Sequence, residues 1–106
     1  EGSSIRLMIG TKESCLAATR EAALTAKNKL GARKAKFVLV FDSISRYMLL
    51  GREAQKEVEI IRGVFEDATP IIGLYTYGEQ APLASLDYMG RAYFHNQTVA
   101  VLAVGV

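Results

Sequence analysis

Cysteine, histidine and long apolar runs are nearly missing from this sequence, and each shortage closes off a class of function. Cys15 is the single cysteine, which excludes an internal disulfide and a cysteine-built metal cluster. His95 is the single histidine, and no spaced set of cysteine, histidine or carboxylate accompanies it, so no metal site is expected. No run reaches the ~18 apolar residues that cross a bilayer. No secretory leader is visible at the start. The net charge is only +2 and the basic residues are scattered, which argues against a nucleic-acid partner. Gly73 and Gly78 follow neither the dinucleotide nor the P-loop spacing, and no cofactor is expected.

What remains is a chain built to fold. It has 106 residues, half of them hydrophobic and 23% charged, which suits one globular domain. The abrupt opening at Glu1-Gly2 and the stop inside an apolar run at Val106 read as a single domain, residues 1–106, excised from a longer protein. The densest basic group, Lys27, Lys29, Arg33, Lys34 and Lys36, reads as a solvated helix end, where cations are favoured.

Taken in order, residues 5–9 form the first strand candidate. Thr11 or Ser14 then offers an N-cap for a helix over 13–30, with Leu16, Thr19, Ala23, Ala26 and Leu30 at helical spacing and Gly31 as its C-terminal cap. Cys15 lies on that helix and reads as a small buried hydrophobe. Residues 37–41 are apolar without alternation, which predicts a strand buried on both faces. A loop over 42–46 leads into a second helix over 47–65, irregular near Gly51. Leu50, Ala54, Val58, Ile61 and Phe65 make its buried stripe, and Arg52, Glu53, Lys56, Glu57 and Glu59 its wet face. Residues 71–76 read as a buried third strand, with Tyr75 in the core. Residues 77–94 read as a long loop of the kind that often carries function. Residues 98–104 form the last strand.

The order β-α-β-α-β-β predicts an α/β (α+β two-layer) fold. Two right-handed crossovers make the first three strands parallel and put both helices on one face of a mixed sheet. The last strand returns antiparallel, between the first and second. This arrangement resembles the chorismate-mutase-like architecture, with a ferredoxin-like sheet as the alternative. Strands apolar on both faces leave the other sheet face to be covered by a neighbouring domain or a second copy, so self-association is expected.

Strand direction brings three separated segments to one edge. The segment after the second strand carries Asp42, Ser43, Ser45 and Arg46. The one after the third carries Tyr77, Glu79 and Gln80. The last strand starts there with His95, Asn96 and Gln97. The candidate ligand-binding residues are Ser43, Arg46, Tyr77, Glu79, His95 and Asn96. Arg46 offers a bidentate donor for a carboxylate and Glu79 an acceptor for an ammonium group, which together suit a free amino acid. The alternative is that Arg46 and Glu79 pair with each other and lock the two segments. Asp42 and Ser43 also read as caps of the second helix, and His95 as a structural hydrogen-bonding residue. A triad of Ser43, His95 and an acid lacks a nucleophile elbow. No catalytic residue is assigned.

Three motifs at that edge carry a family resemblance. Pro70-Ile71-Ile72-Gly73-Leu74-Tyr75-Thr76-Tyr77-Gly78-Glu79-Gln80-Ala81-Pro82 resembles the signature of the FIST C-terminal domain. Phe41-Asp42-Ser43-Ile44-Ser45-Arg46, with Leu49-Leu50-Gly51, is similar to its middle motif. His95-Asn96-Gln97-Thr98-Val99-Ala100-Val101-Leu102 is similar to its closing motif. Ser43 stands where that family often has cysteine. The resemblance implies an intracellular, cytoplasmic sensor of small ligands in bacterial signal transduction, with amino acids suspected as ligands. It also implies an N-terminal FIST-type domain and signalling output domains as partners in the parent protein. A domain-domain or oligomerisation module without a small ligand is the second reading. An enzyme acting at the same edge is the third.

Overall fold

The computed structural model describes residues 2–5, 7, 9–66, 68–82 and 92–106. Helix α1, Lys12–Leu30, begins where Thr11 and Ser14 exchange side chain-to-backbone hydrogen bonds of 3.1 and 2.9 Å in a capping box. It ends at Gly31, whose φ of 63° glycine adopts without steric cost. Strand β1, Ala35–Ser43, runs straight into helix α2, Ile44–Leu50, so the expected loop over 42–46 is not formed. Gly51, at φ 57°, ends α2. A 3-10 turn over Gly51–Glu53 follows, and helix α3, Gln55–Phe65, resumes after it. The expected single second helix is therefore two helices hinged at the glycine. Strand β2, Ile71–Thr76, short strands β3, Glu79–Ala81, and β4, Tyr93–His95, and strand β5, Val99–Gly105, complete the described elements.

The main sheet has the order β2-β1-β5. β1 and β2 are parallel, and β5 is antiparallel to β1, as the crossover argument expects. β3 and β4 pair antiparallel in a second small sheet, within the stretch expected to be a loop. The architecture is α+β in two layers. No strand forms in the expected first position among the described residues: Ile5, Leu7 and Ile9 are exposed, and Arg6 and Met8 lie outside those residues. Among the described residues, no strand pairs with β5 on the side away from β1.

The core sits between the helices and one sheet face. Val38 and Val40 of β1 and Val99 of β5 meet Ala23 of α1 and Ile61, Val64 and Phe65 of α3. Period-two alternation gives β1 this inward row, and the row continues to Asp42. The other face stays open. Register sets Leu39 between Ile72 and Leu102, and Phe41 between Leu74 and Ala100. Phe37, Phe41, Ile72, Leu74 and Leu102 are all exposed there. β2 is thus an exposed edge strand where a buried one was expected, and Tyr75 is 48% exposed where a core position was expected. Both follow from a strand with one neighbour and one uncovered face.

Candidate functional site

The carboxyl ends of β1 and β2 and the entry to β5 are joined by hydrogen bonds. The Ser43 amide donates to the Thr98 carbonyl at 3.0 Å, and the Gln97 amide donates to Ser43 Oγ at 3.2 Å. Ser43 Oγ lies 2.8 Å from Ser45 Oγ. Thr76 Oγ1 donates to Glu79 Oε1 at 2.6 Å and lies 3.3 Å from the Asp42 carbonyl. Glu79 faces His95 across the β3-β4 pair, and His95 Nε2 donates to the Ala81 carbonyl at 3.2 Å. Strand direction alone places these three segments together, and they do meet.

The expected site residues do not all share one surface. Ser43, Arg46 and Glu79 are buried at 2–3% exposure. His95 is half-buried, whereas Asn96 is exposed and Tyr77 is 89% exposed. Ser43 is the N-cap residue of α2 but makes no side-chain cap bond. Asp42 makes no cap either: its carboxylate turns to Arg46, with Nε 3.2 Å from Oδ1 but out of line for a hydrogen bond.

Arg46 is the hub of the interior. Its Nη2 donates to Glu57 Oε1, to the Cys15 carbonyl at 2.8 Å and to Thr19 Oγ1 at 2.8 Å, and its Nε reaches Glu57 Oε1 at 3.1 Å. Thr19 Oγ1 donates in turn to Glu57 Oε1 at 2.6 Å. The partner of Arg46 is therefore Glu57, with Asp42 beside it, and not Glu79. Glu57 was expected on the wet face of the second helix and is instead 2% exposed. Position 57 lies one turn from both Ala54 and Ile61 on the same helix face, so it shares their burial. Ala54, Glu57, Ile61, Val64 and Phe65 form the buried stripe, and Val58 turns out to 42% exposure. Cys15 is buried, as expected, and its carbonyl is spent on Arg46.

One guanidinium thus sits between two buried carboxyls, Asp42 and Glu57, and the charge of a third, Glu79, reaches Asp42. Asp42 Oδ1, Glu57 Oε2 and Glu79 Oε2 are buried without a hydrogen-bond partner. A buried carboxylate without compensation is costly, and protonation relieves it. Burial pushes the Asp42 carboxyl up to about 7, helped by its hydrogen bond to Glu57 and by the charges of Glu57 and Glu79, against the pull of Arg46. Burial, then the Asp42 and Glu57 charges, also raise the Tyr75 phenol. Its ring tilts against Tyr47 at 4.9 Å between centroids.

Two openings border this cluster. A groove of about 780 Å³ runs between α1 and the unpaired side of β5, from Ala26 and Val101 up to Arg46 and Gln80. A smaller cavity of about 200 Å³ lies between α3 and β2, lined by Asp42, Glu57, Val58, Ile61, Leu74 and Tyr75 among others. Among the described residues, no group of three or more histidine, cysteine or acidic side chains could hold a metal ion. No helix in that set is long and apolar enough to cross a membrane.

The domain is α+β in two layers, and its buried polar groups gather at the carboxyl end of β1 and β2, the end where open sheets place their sites. The chain belongs to the FIST C domain family, whose model matches residues 1–82. The FIST C domain is a sensory domain of signal transduction proteins. The match takes in the segments 41–51 and 70–82, whereas the closing segment 95–102 lies beyond it. Comparison with curated proteins and with solved structures gives no match.

Proposed function

We propose that this domain is the small-ligand input module of a bacterial cytoplasmic signalling protein, and that it binds a free amino acid or a similar small metabolite at the carboxyl end of the sheet. The observation that carries the reading is the hydrogen-bonded convergence of β1, β2, β3 and β5 around buried carboxyl oxygens that have no partner. Ser43, Tyr77, Glu79, His95 and Asn96 are the residues expected to touch the ligand. Arg46 acts from behind, because Glu57, Thr19 and Cys15 already take its donors. Binding changes the signal only through unequal affinity for two packings of the domain against a neighbour. That neighbour is an N-terminal FIST-type domain or an output domain in the parent protein. An amide NMR titration against pools of amino acids and related metabolites tests this. Shifts are expected within 42–47, 75–82 and 94–98. Silence across a well-dispersed spectrum contradicts small-ligand binding and favours the second reading.

The second reading is an assembly module, and the open sheet face favours it. Phe37, Phe41, Ile72, Leu74 and Leu102 form a contiguous apolar surface of the kind soluble monomers rarely leave bare. Self-association through that face is expected. Phe41→Lys, in the middle of the middle strand, should halve the mass seen by light scattering at a concentration where the parent chain is dimeric. An unchanged mass would place the contact elsewhere.

A further inference from the structure

The cavity between α3 and β2 combines two features that belong together in a binding site. Its walls are hydrocarbon, with Val40, Val58, Ile61, Leu74 and Val99 on different sides. Its polar lining includes two carboxyls, Asp42 and Glu57, each with one buried oxygen that accepts no hydrogen bond, Asp42 Oδ1 lying 3.2 Å from Arg46 Nε but out of line. The Glu57 side chain is 3% exposed, and only its Oε1 is committed to Arg46 and Thr19. Unsatisfied carboxyl oxygens beside an apolar space ask for a cationic donor with a hydrocarbon body. The cavity is about 200 Å³, well beyond what one water needs and below the 300–1,000 Å³ of drug-sized sites.

We propose that this cavity binds a small aliphatic monoamine as its ammonium ion, with the head group between Asp42 and Glu57 and the chain against Val58, Ile61 and Ile71. This deepens the sensory reading, and rests on it, by naming the ligand's charge and its place. None of the three groups that define the site, Asp42, Glu57 and Tyr75, is among the ligand residues expected from sequence. Arg62 also lines the cavity and is exposed, so its positive charge disfavours a second ammonium group at the mouth.

The ammonium competes with a proton. Asp42 is faced by Glu57 of α3, Arg46 of α2, Glu79 of β3 and Tyr75 of β2, so its carboxyl is surrounded mainly by acidic groups. Without a ligand, burial beside the Glu57 and Glu79 carboxyls keeps a proton on Asp42. An arriving ammonium replaces that proton, which passes to solvent, and the net charge of the cluster is unchanged. Affinity should therefore rise with pH until Asp42 is ionised and then level off.

The test is an amide NMR titration of the whole chain with n-butylammonium, with n-butanol as the uncharged control and the doubly charged 1,4-diaminobutane for selectivity. Expected are shifts at residues 40–42, 57–61 and 73–75, and an affinity for butylammonium at least ~10-fold above that for butanol, as one charge-assisted contact supplies. Affinity should climb several-fold from pH 6 to pH 7.5. Diaminobutane should bind more weakly than butylammonium. Asp42→Asn should erase the preference for the amine over the alcohol. Should that variant lose its dispersed spectrum, the parent chain's amine-to-alcohol ratio and its pH dependence decide. Equal binding of amine and alcohol, or no shift with either, overturns the proposal. Shifts from amino acid pools at 42–47, 75–82 and 94–98 with butylammonium silent also overturn it, yet leave the sensory reading standing. Silence from both removes the two together.

Discussion

Arg46→Ala is expected to unfold most of the domain. Arg46 is 3% exposed and ties four elements together: the Cys15 carbonyl and Thr19 on α1, Asp42 on β1, Glu57 on α3, and its own helix α2. Truncation leaves Asp42, Glu57 and Glu79 facing one another without a cation. Removing one partner of a buried pair costs about 3–5 kcal/mol, because the remaining charge is stranded. Against a typical stability of roughly 5–15 kcal/mol, that is a large share. Urea unfolding should show a midpoint shifted far down, or no folded baseline at all. Sequence reasoning leaves two outcomes for the same substitution: loss of fold if Arg46 pairs with Glu79, or lost ligand binding in an intact fold if it sits at a solvent-facing edge. A variant that keeps the parent midpoint would favour the second. Replacing both partners, as Arg46→Met with Glu57→Gln, should be milder than Arg46→Ala alone, since no unpaired charge is left between them.

Asp42→Asn is expected to make the domain more stable in alkali and to flatten its pH dependence. The folded carboxyl sits at about 7 and the unfolded one near 3.8, so folding takes up a proton between those values. Where the native state holds more protons, stability falls as pH rises. The contribution of Asp42 is thus fully present below about pH 4 and lost by about pH 7 and above. The difference of about 3 pH units corresponds to an upper bound of about 4 kcal/mol, of which about 2–3 kcal/mol falls between pH 5 and pH 8. Asparagine cannot ionise, and its amide can donate to the free Glu57 oxygen. Urea unfolding of parent and variant at pH 5, 6, 7 and 8 should show a gap that widens in the variant's favour as pH rises. Parallel curves would mean that Asp42 titrates like an ordinary surface carboxyl.

The parts of this fold that read directly from sequence are those set by local chemistry. The capping pair Thr11 and Ser14, the stripe Thr19, Ala23 and Ala26, the stop at Gly31 and the strands at 37–41 and 71–76 all follow from spacing and propensity. The parallel pairing of β1 and β2 follows from the helical crossover between them. The misses share one cause, which is that burial depends on neighbours. Residues 71–76 have the composition of a buried strand, yet β2 lies at an edge with one face open. Glu57 and Val58 both fit the spacing of a helix stripe, and hydropathy chooses Val58. Both positions lie beside Ala54 and Ile61 at helical spacing, and the pairing with Arg46 takes Glu57 into the interior. One signal for that was present: an arginine just past a central strand needs a buried carboxylate, and only Glu57 lies one face across on the following helix. The convergence of 42–46, 76–79 and 95–98 was legible from strand direction. Which of those side chains point inward was not, because Arg46 and Glu79 turn into the core whereas Tyr77 turns away.

The most direct measurement is a carbon-13 titration of the side-chain carboxyls, read by NMR from pH 3 to pH 9. Burial, with the Glu57 and Glu79 carboxyls beside it, holds a proton on Asp42 up to about pH 7 against the pull of Arg46. The expected Asp42 midpoint is therefore near 7, with Tyr75 and Glu57 amides moving in step. An Asp42 midpoint near 4 would contradict this, and would mean that the cluster is open to water and holds no proton for a ligand to displace.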